Sequence, residues 1–184
     1  MHRFIIAAIV VSAIAAVFDW RTGKIPNWLT LPVLFAAPIA HVVDASVTGH
    51  AFANMPWYEG LFSVFGALIA ASVPLLLFRQ NAMGGGDVKL FAALGALLQI
   101  EAGVEAELYA MIAAAIAAPA FLAYKGKLMS SLRNAGSLLV NPVLPKDKRR
   151  TIEPESLTWF RLGPCVFVGT VVMAYVRWKS AKGH

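Results

Sequence analysis

Apolar residues fall into long runs along this chain, and the polar residues between them gather into connectors. The runs are Phe4 to Phe18, Trp28 to Val43, Gly60 to Phe78, Val88 to Ile100, Leu108 to Tyr124 and Trp159 to Val176. A spanning helix needs about 20 predominantly apolar residues, so the pattern predicts an all-α polytopic membrane bundle of about six transmembrane helices. Pro26 suits the first turn of the second helix, and Pro32 and Pro38 inside it are tolerated as they are in spanning helices. Trp57 and Tyr58 are placed to anchor the third helix at the interface. The alanine-rich fifth run permits close helix packing where lipid supplies no hydrophobic drive. Arg3, the first run and Ala13-Ile14-Ala15 imitate a cleaved targeting peptide, but the remaining chain is equally hydrophobic, so this run is expected to stay as the first span.

Composition agrees. Of 184 residues, 59% are apolar and 14% charged, against roughly a quarter charged in soluble domains. This excludes a soluble single domain, a disordered or collagen-like chain and a nucleic-acid-binding tail. The single cysteine, Cys165, excludes an internal disulfide and any zinc or redox site built from CxxC pairs. Neither a metal site nor a cofactor is expected. No repeat is visible, and one transmembrane domain is expected over 1–184, with a basic cytoplasmic loop at about 125–156.

The net charge of +6 is informative by position. Six spans put the connectors near Asp19, near Asp87 and from Lys125 to Ser156 on one side. Those connectors hold eleven of the sixteen basic residues, whereas the two opposite ones hold none and carry Asp44, Glu59, Glu101, Glu105 and Glu107. The basic side is then cytoplasmic, in an inner-membrane protein whose termini both lie outside. Arg177, Lys179 and Lys182 would fall on the side where cations are disfavoured, which leaves a re-entrant run as an alternative.

The chain has four aspartates, Asp19, Asp44, Asp87 and Asp147. The first and fourth runs reach only roughly 22 and 20 Å at 1.5 Å per residue, short of a hydrocarbon core of about 30 Å. Each must borrow polar neighbours, which sets Asp19 and Asp87 at similar depth near the cytoplasmic boundary. Ionisable residues there are functional candidates. Two carboxylates close together at low dielectric can hold a shared proton, the condition for aspartic-protease chemistry. Gly84, Gly85 and Gly86 would let backbone pass close to a substrate. Singly, Asp19 also fits a plain interfacial helix end beside Arg21 and Lys24, Asp87 a helix cap, and Lys89 a snorkelling lysine. The basic loop fits a topology determinant that meets anionic lipid.

Two blocks resemble the type IV prepilin peptidases, including the archaeal preflagellin peptidases. Asp19-x-Arg21-x-x-Lys24-Ile25-Pro26-Asn27-x-Leu29-Thr30 is similar to the family's first-aspartate motif. Met83-Gly84-Gly85-Gly86-Asp87-Val88-Lys89-Leu90 is similar to its GxGD motif, and Arg161-Leu162-Gly163-Pro164 to a Gly-Pro element that opens its last helix. The resemblance implies a membrane aspartic endopeptidase that removes the basic, glycine-terminated leader of prepilins. Asp19 and Asp87 would be its catalytic pair, with Gly84, Gly85, Gly86, Lys89, Arg21, Lys24, Pro26 and Asn27 supporting the site or the substrate's approach. Larger bacterial members add a cytoplasmic segment with paired cysteines and N-methylate the new terminus. The short first connector and lone cysteine resemble instead the stand-alone peptidases of tight-adherence, Flp-type pili. Two other classes compete: a small ion-coupled transporter relaying ions through Asp19 and Asp87 around a helix broken at Gly84 to Gly86, and a non-catalytic pilus or secretion assembly protein. Neither requires both aspartate blocks.

Overall fold

The first apolar run is too short to cross a bilayer alone, and it gains length by carrying its helix through Asp19 and Trp20. The computed structural model describes residues 2–49, 52–80, 83–126 and 161–182. In it α1 is His2–Thr22, whose 21 residues span about 31 Å. Helix α2 is Asn27–Thr48, α3 is Trp57–Arg79, α4 is Gly85–Tyr124 and α5 is Gly163–Lys182, with a 3₁₀ turn at Phe52–Asn54. Pro26 stands just outside α2 with extended backbone (φ −73°, ψ 139°), and Gly49 closes that helix at φ 69°, its N–H donating to the Ala45 carbonyl. The described residues contain no strand, and α1 to α4 are each long and apolar enough to cross a membrane. The protein is an all-α membrane bundle. The described residues form two units, one from 1–113 with 161–184 and one from 114–160. The basic loop expected at about 125–156 lies outside the described residues except for Lys125 and Gly126.

The fourth and fifth runs form the two helical arms of α4, which break at Gln99, and the polar stretch expected as a connector at Glu101 to Glu107 is itself helical. A Cβ built on Gly103 would lie 3.1 Å from the Gly95 Cα. Residues eight apart in a continuous helix are separated by about 12 Å, so α4 doubles back on itself. Gln99 holds φ 59° and ψ −165°, a conformation that costs a residue other than glycine about 1–3 kcal/mol. Neighbouring helices offset that cost. The Gln99 amide donates to Glu59 Oε2 at 2.9 Å. The break strands the carbonyls of the preceding turn, and they are met by His41 Nε2, 3.0 Å from the Leu97 oxygen, and by Ser63 Oγ, 2.7 Å from that of Ala96. Phe4 stacks on the His41 ring at 3.7 Å, which adds α1 to the cluster.

Helix α1 packs chiefly on α5, and α2 on α3. Small residues bring the backbones together, as expected where dispersion rather than the hydrophobic effect drives association. Gly66 and Gly95 meet backbone to backbone between α3 and α4, and Gly169 of α5 lies against Ala110 and the Ala106 carbonyl. Phe91, Leu90, Leu94, Val166 and Met173 fill the centre, while Ile6, Phe35, Ile39, Leu68 and Leu76 face outward. Helix α5 is a full 20 residues, and Arg177 near its far end pairs with Glu105 at 2.7 Å and Glu101 at 3.6 Å. Lys182 sits 4.1 Å over the Trp178 ring. Two of the three cations expected on a disfavoured side, Arg177 and Lys182, therefore have local partners.

Two variants test this packing in detergent. Gly95→Ala would bring its Cβ to 2.6 Å from that of Ala70, and is expected to cost about 1–3 kcal/mol, read as a lower melting temperature. Thr30 is 1% exposed and its hydroxyl has no hydrogen-bond partner among the described residues. A stranded buried polar group costs about 1–3 kcal/mol, so Thr30→Val is expected to raise the melting temperature.

Candidate functional site

Three helix ends and one tight connector converge around Asp19. This residue occupies the last turn of α1 and is 7% exposed. The helix stops at once: Gly23 takes φ 67° and its N–H donates to the Asp19 carbonyl at 2.9 Å. The Thr22 hydroxyl donates to the Phe18 carbonyl at 2.8 Å and accepts from the Lys24 N–H at 3.3 Å. The turn sends Ile25 back into the interior, and Trp28 packs edge-on against Phe18 with ring centroids 5.6 Å apart.

The glycine run meets this connector. A Cβ on Gly86 would lie 3.3 Å from the Ile25 Cβ, and one on Gly85 would lie 3.3 Å from the Phe78 ring. The Gly84 carbonyl accepts from the N–H groups of Asp87 at 3.1 Å and Val88 at 3.4 Å. Asp87 is thus inside the first turn of α4 rather than its cap, where the helix dipole favours a carboxylate. Its side chain turns back onto Gly84 and lies within electrostatic range of Asp19. Lys89 Nζ donates to Asn27 Oδ1 at 2.9 Å, tying α4 to the start of α2.

Of the residues singled out from the sequence, Asp19, Asp87, Gly84, Gly86, Lys89, Pro26 and Asn27 come together at this end of the bundle, and Gly85 packs beside them on Phe78. Arg21 and Lys24 are exposed near it. One participant was not among the candidates. The Gly163 N–H donates to Asp19 Oδ2 at 2.8 Å in a buried setting. The signal for it was the short Arg161-Leu162-Gly163-Pro164 stretch, whose distance along the chain from Asp19 hides the contact. Among the described residues no cluster of three His, Cys, Asp or Glu side chains is arranged to hold a metal ion.

Residues 6–119, more than half of the chain, match the type IV leader peptidase family. The chain belongs to that family. Both aspartate blocks lie inside the matched residues, and Gly163 lies outside them. Over 91 residues the chain is 33% identical to the prepilin leader peptidase/N-methyltransferase of Vibrio cholerae serotype O1. That match takes in 46% of this chain and 32% of the relative, so it spans about a third of the relative's length. No solved structure matches the chain significantly.

The Lys89–Asn27 bond lies on the exposed rim. A double-mutant cycle with Lys89→Ala and Asn27→Ala is therefore expected to give a coupling below about 1 kcal/mol in thermal unfolding.

Proposed function

We propose that this member of the leader peptidase family is a membrane aspartic endopeptidase that cleaves the basic leader from prepilin-type precursors, with Asp19 and Asp87 as its catalytic pair. The observation that supports the reading is that Asp19 and Asp87 lie within electrostatic range of each other at one end of the bundle, although 68 positions separate them in sequence. In this scheme the ionised carboxylate takes a proton from a water, whose oxygen bonds to the scissile carbonyl carbon. The protonated carboxyl donates a hydrogen bond to the carbonyl oxygen. Transfer of a proton to the amide nitrogen then lets the C–N bond break, releasing an amine and a carboxylic acid. No cofactor enters the scheme.

Position supports a substrate anchored in the same bilayer. A prepilin holds its hydrophobic helix in the membrane and its leader on the cytoplasmic side, and the excess of basic residues in the connectors on the dyad's side favours that side for the pair. Gly84 to Gly86 would admit the substrate backbone, Lys89 and Asn27 would hold α2 on α4, and Arg21 and Lys24 would meet lipid phosphate at the boundary. The lone cysteine and the connector of four residues between α1 and α2 favour a stand-alone, Flp-type enzyme without methyl transfer. The broken-helix requirement of a carrier is less well met: the break at Gln99 lies about 18 Å along α4 from Asp87.

The test is cleavage of a prepilin with a basic, glycine-terminated leader by protein in liposomes. Asp19→Asn and Asp87→Asn are each expected to lower the rate by roughly 10²–10⁴-fold with the melting temperature retained. Native activity in either variant would overturn the dyad.

A further inference from the structure

Asp19 stands where a carboxylate is poorly placed. The last turn of a helix carries the negative end of the backbone dipole, the side chain is nearly enclosed, and among the described residues no Lys or Arg forms an ion pair with it. Its partner comes from the far end of the chain. The Val166 N–H bonds to the Leu162 carbonyl at 3.0 Å, which makes Leu162 the cap residue of α5 and Gly163 its first helical residue. A leucine side chain cannot cap, and Pro164 has no N–H to offer. The Gly163 N–H is free of intrahelical work and points at Asp19 Oδ2, 2.8 Å away. The carboxylate thus occupies the place of a capping side chain, supplied by another helix, and the positive end of α5 offsets the negative end of α1.

Only glycine permits this geometry. A Cβ at 163 would lie 2.8 Å from the Asp19 Cβ, 2.9 Å from Oδ2 and 3.2 Å from the carboxylate carbon. Real Cβ atoms do not approach so closely, so any side chain there must displace the carboxylate or the helix. The backbone partner of the Asp87 carboxylate is Gly84, at the start of the same helix, whereas that of Asp19 comes from another helix. Among the described residues, the other titratable groups facing Asp19 are Asp87 from α4 and the buried Cys165 thiol from α5.

We infer that Gly163 is a positioning residue for the peptidase reaction: its amide, at the N-terminus of α5, sets the place and orientation of Asp19 relative to Asp87. The inference rests on the aspartic peptidase reading above. It adds that α5, which lies outside the stretch matched to the family, is part of the catalytic arrangement and does more than fill the bundle.

Gly163→Ala is expected to lower kcat on the order of 10²-fold with KM unchanged, and to displace the pH profile of kcat. Thr170→Ala, a buried change farther along α5, is expected to lower the melting temperature while leaving kcat and its pH profile native. A native kcat in Gly163→Ala, or an equal loss in Thr170→Ala, would overturn the positioning role. Amide exchange reads the contact even if Gly163→Ala fails to fold. The Gly163 N–H is expected to exchange faster in Asp19→Ala than in the native protein and to stay protected in Asp19→Asn, whose side-chain oxygen still accepts. Unchanged exchange in Asp19→Ala would also overturn the role. A native protein that cleaves no leader in liposomes would overturn the peptidase reading itself, whatever the exchange shows.

Discussion

Inside a lipid bilayer a polar group finds no water, so one buried in the bundle without a protein partner is costly, and both ends of this fold are arranged around that constraint. At one end the carbonyls stranded by the reversal of α4 are met by His41 and Ser63, while Gln99, held in a costly conformation, donates to Glu59. At the other end the Asp19 carboxylate is met by the first amide of α5. In both places the donor comes from a different helix than the acceptor, so satisfying the backbone also fixes which helices are neighbours.

Close approach is what makes these short polar contacts possible. Gly66 on Gly95, Gly169 on Ala110 and Gly163 on Asp19 bring backbone within reach of another helix, and Gly103 on Gly95 brings together the two arms of α4. Larger side chains at these positions would hold the helices apart and leave the polar groups unpaired at greater distance. Dispersion between small residues and hydrogen bonds across helices therefore act together, which fits a medium in which lipid competes for apolar contact as well as protein does. The outward faces carry large aliphatic and aromatic residues with no comparable order.

Function and fold share the same economy. Asp19 and Asp87 sit at the ends of helices that needed polar extensions to span, and the connector from Gly23 to Pro26 is too short to do anything but turn α2 back beside α1. That turn seats Ile25 on Gly86 and puts Asn27 in reach of Lys89. The two aspartate blocks are thereby held together by contacts that do not involve the carboxylates themselves. Such a scaffold joins the two blocks without using the carboxylates, which suits the proposed dyad.

Much of this was legible in the residues alone. The length and apolarity of the runs determine helices, because only a helix satisfies its backbone within one segment of an apolar medium. Undersized runs marked Asp19 and Asp87, since a helix of given rise must reach a given thickness. Local information of that kind cannot locate a reversal. Glu101, Glu105 and Glu107 read as a connector because they are charged, yet they lie in helix, and Arg177 of α5 pairs with two of them, a partner far away in sequence. The break went to Gln99, where Glu59 and His41 could hold it. Gly163 was marked only as part of a short Gly-Pro stretch, and its contact with Asp19 is hidden for the same reason, since packing alone brings the two together. The sequence by itself determined the helices, their approximate ends and the two candidate acids. The tertiary structure decided where the chain turns and which amide meets which carboxylate, because those contacts depend on helix packing that no single segment encodes.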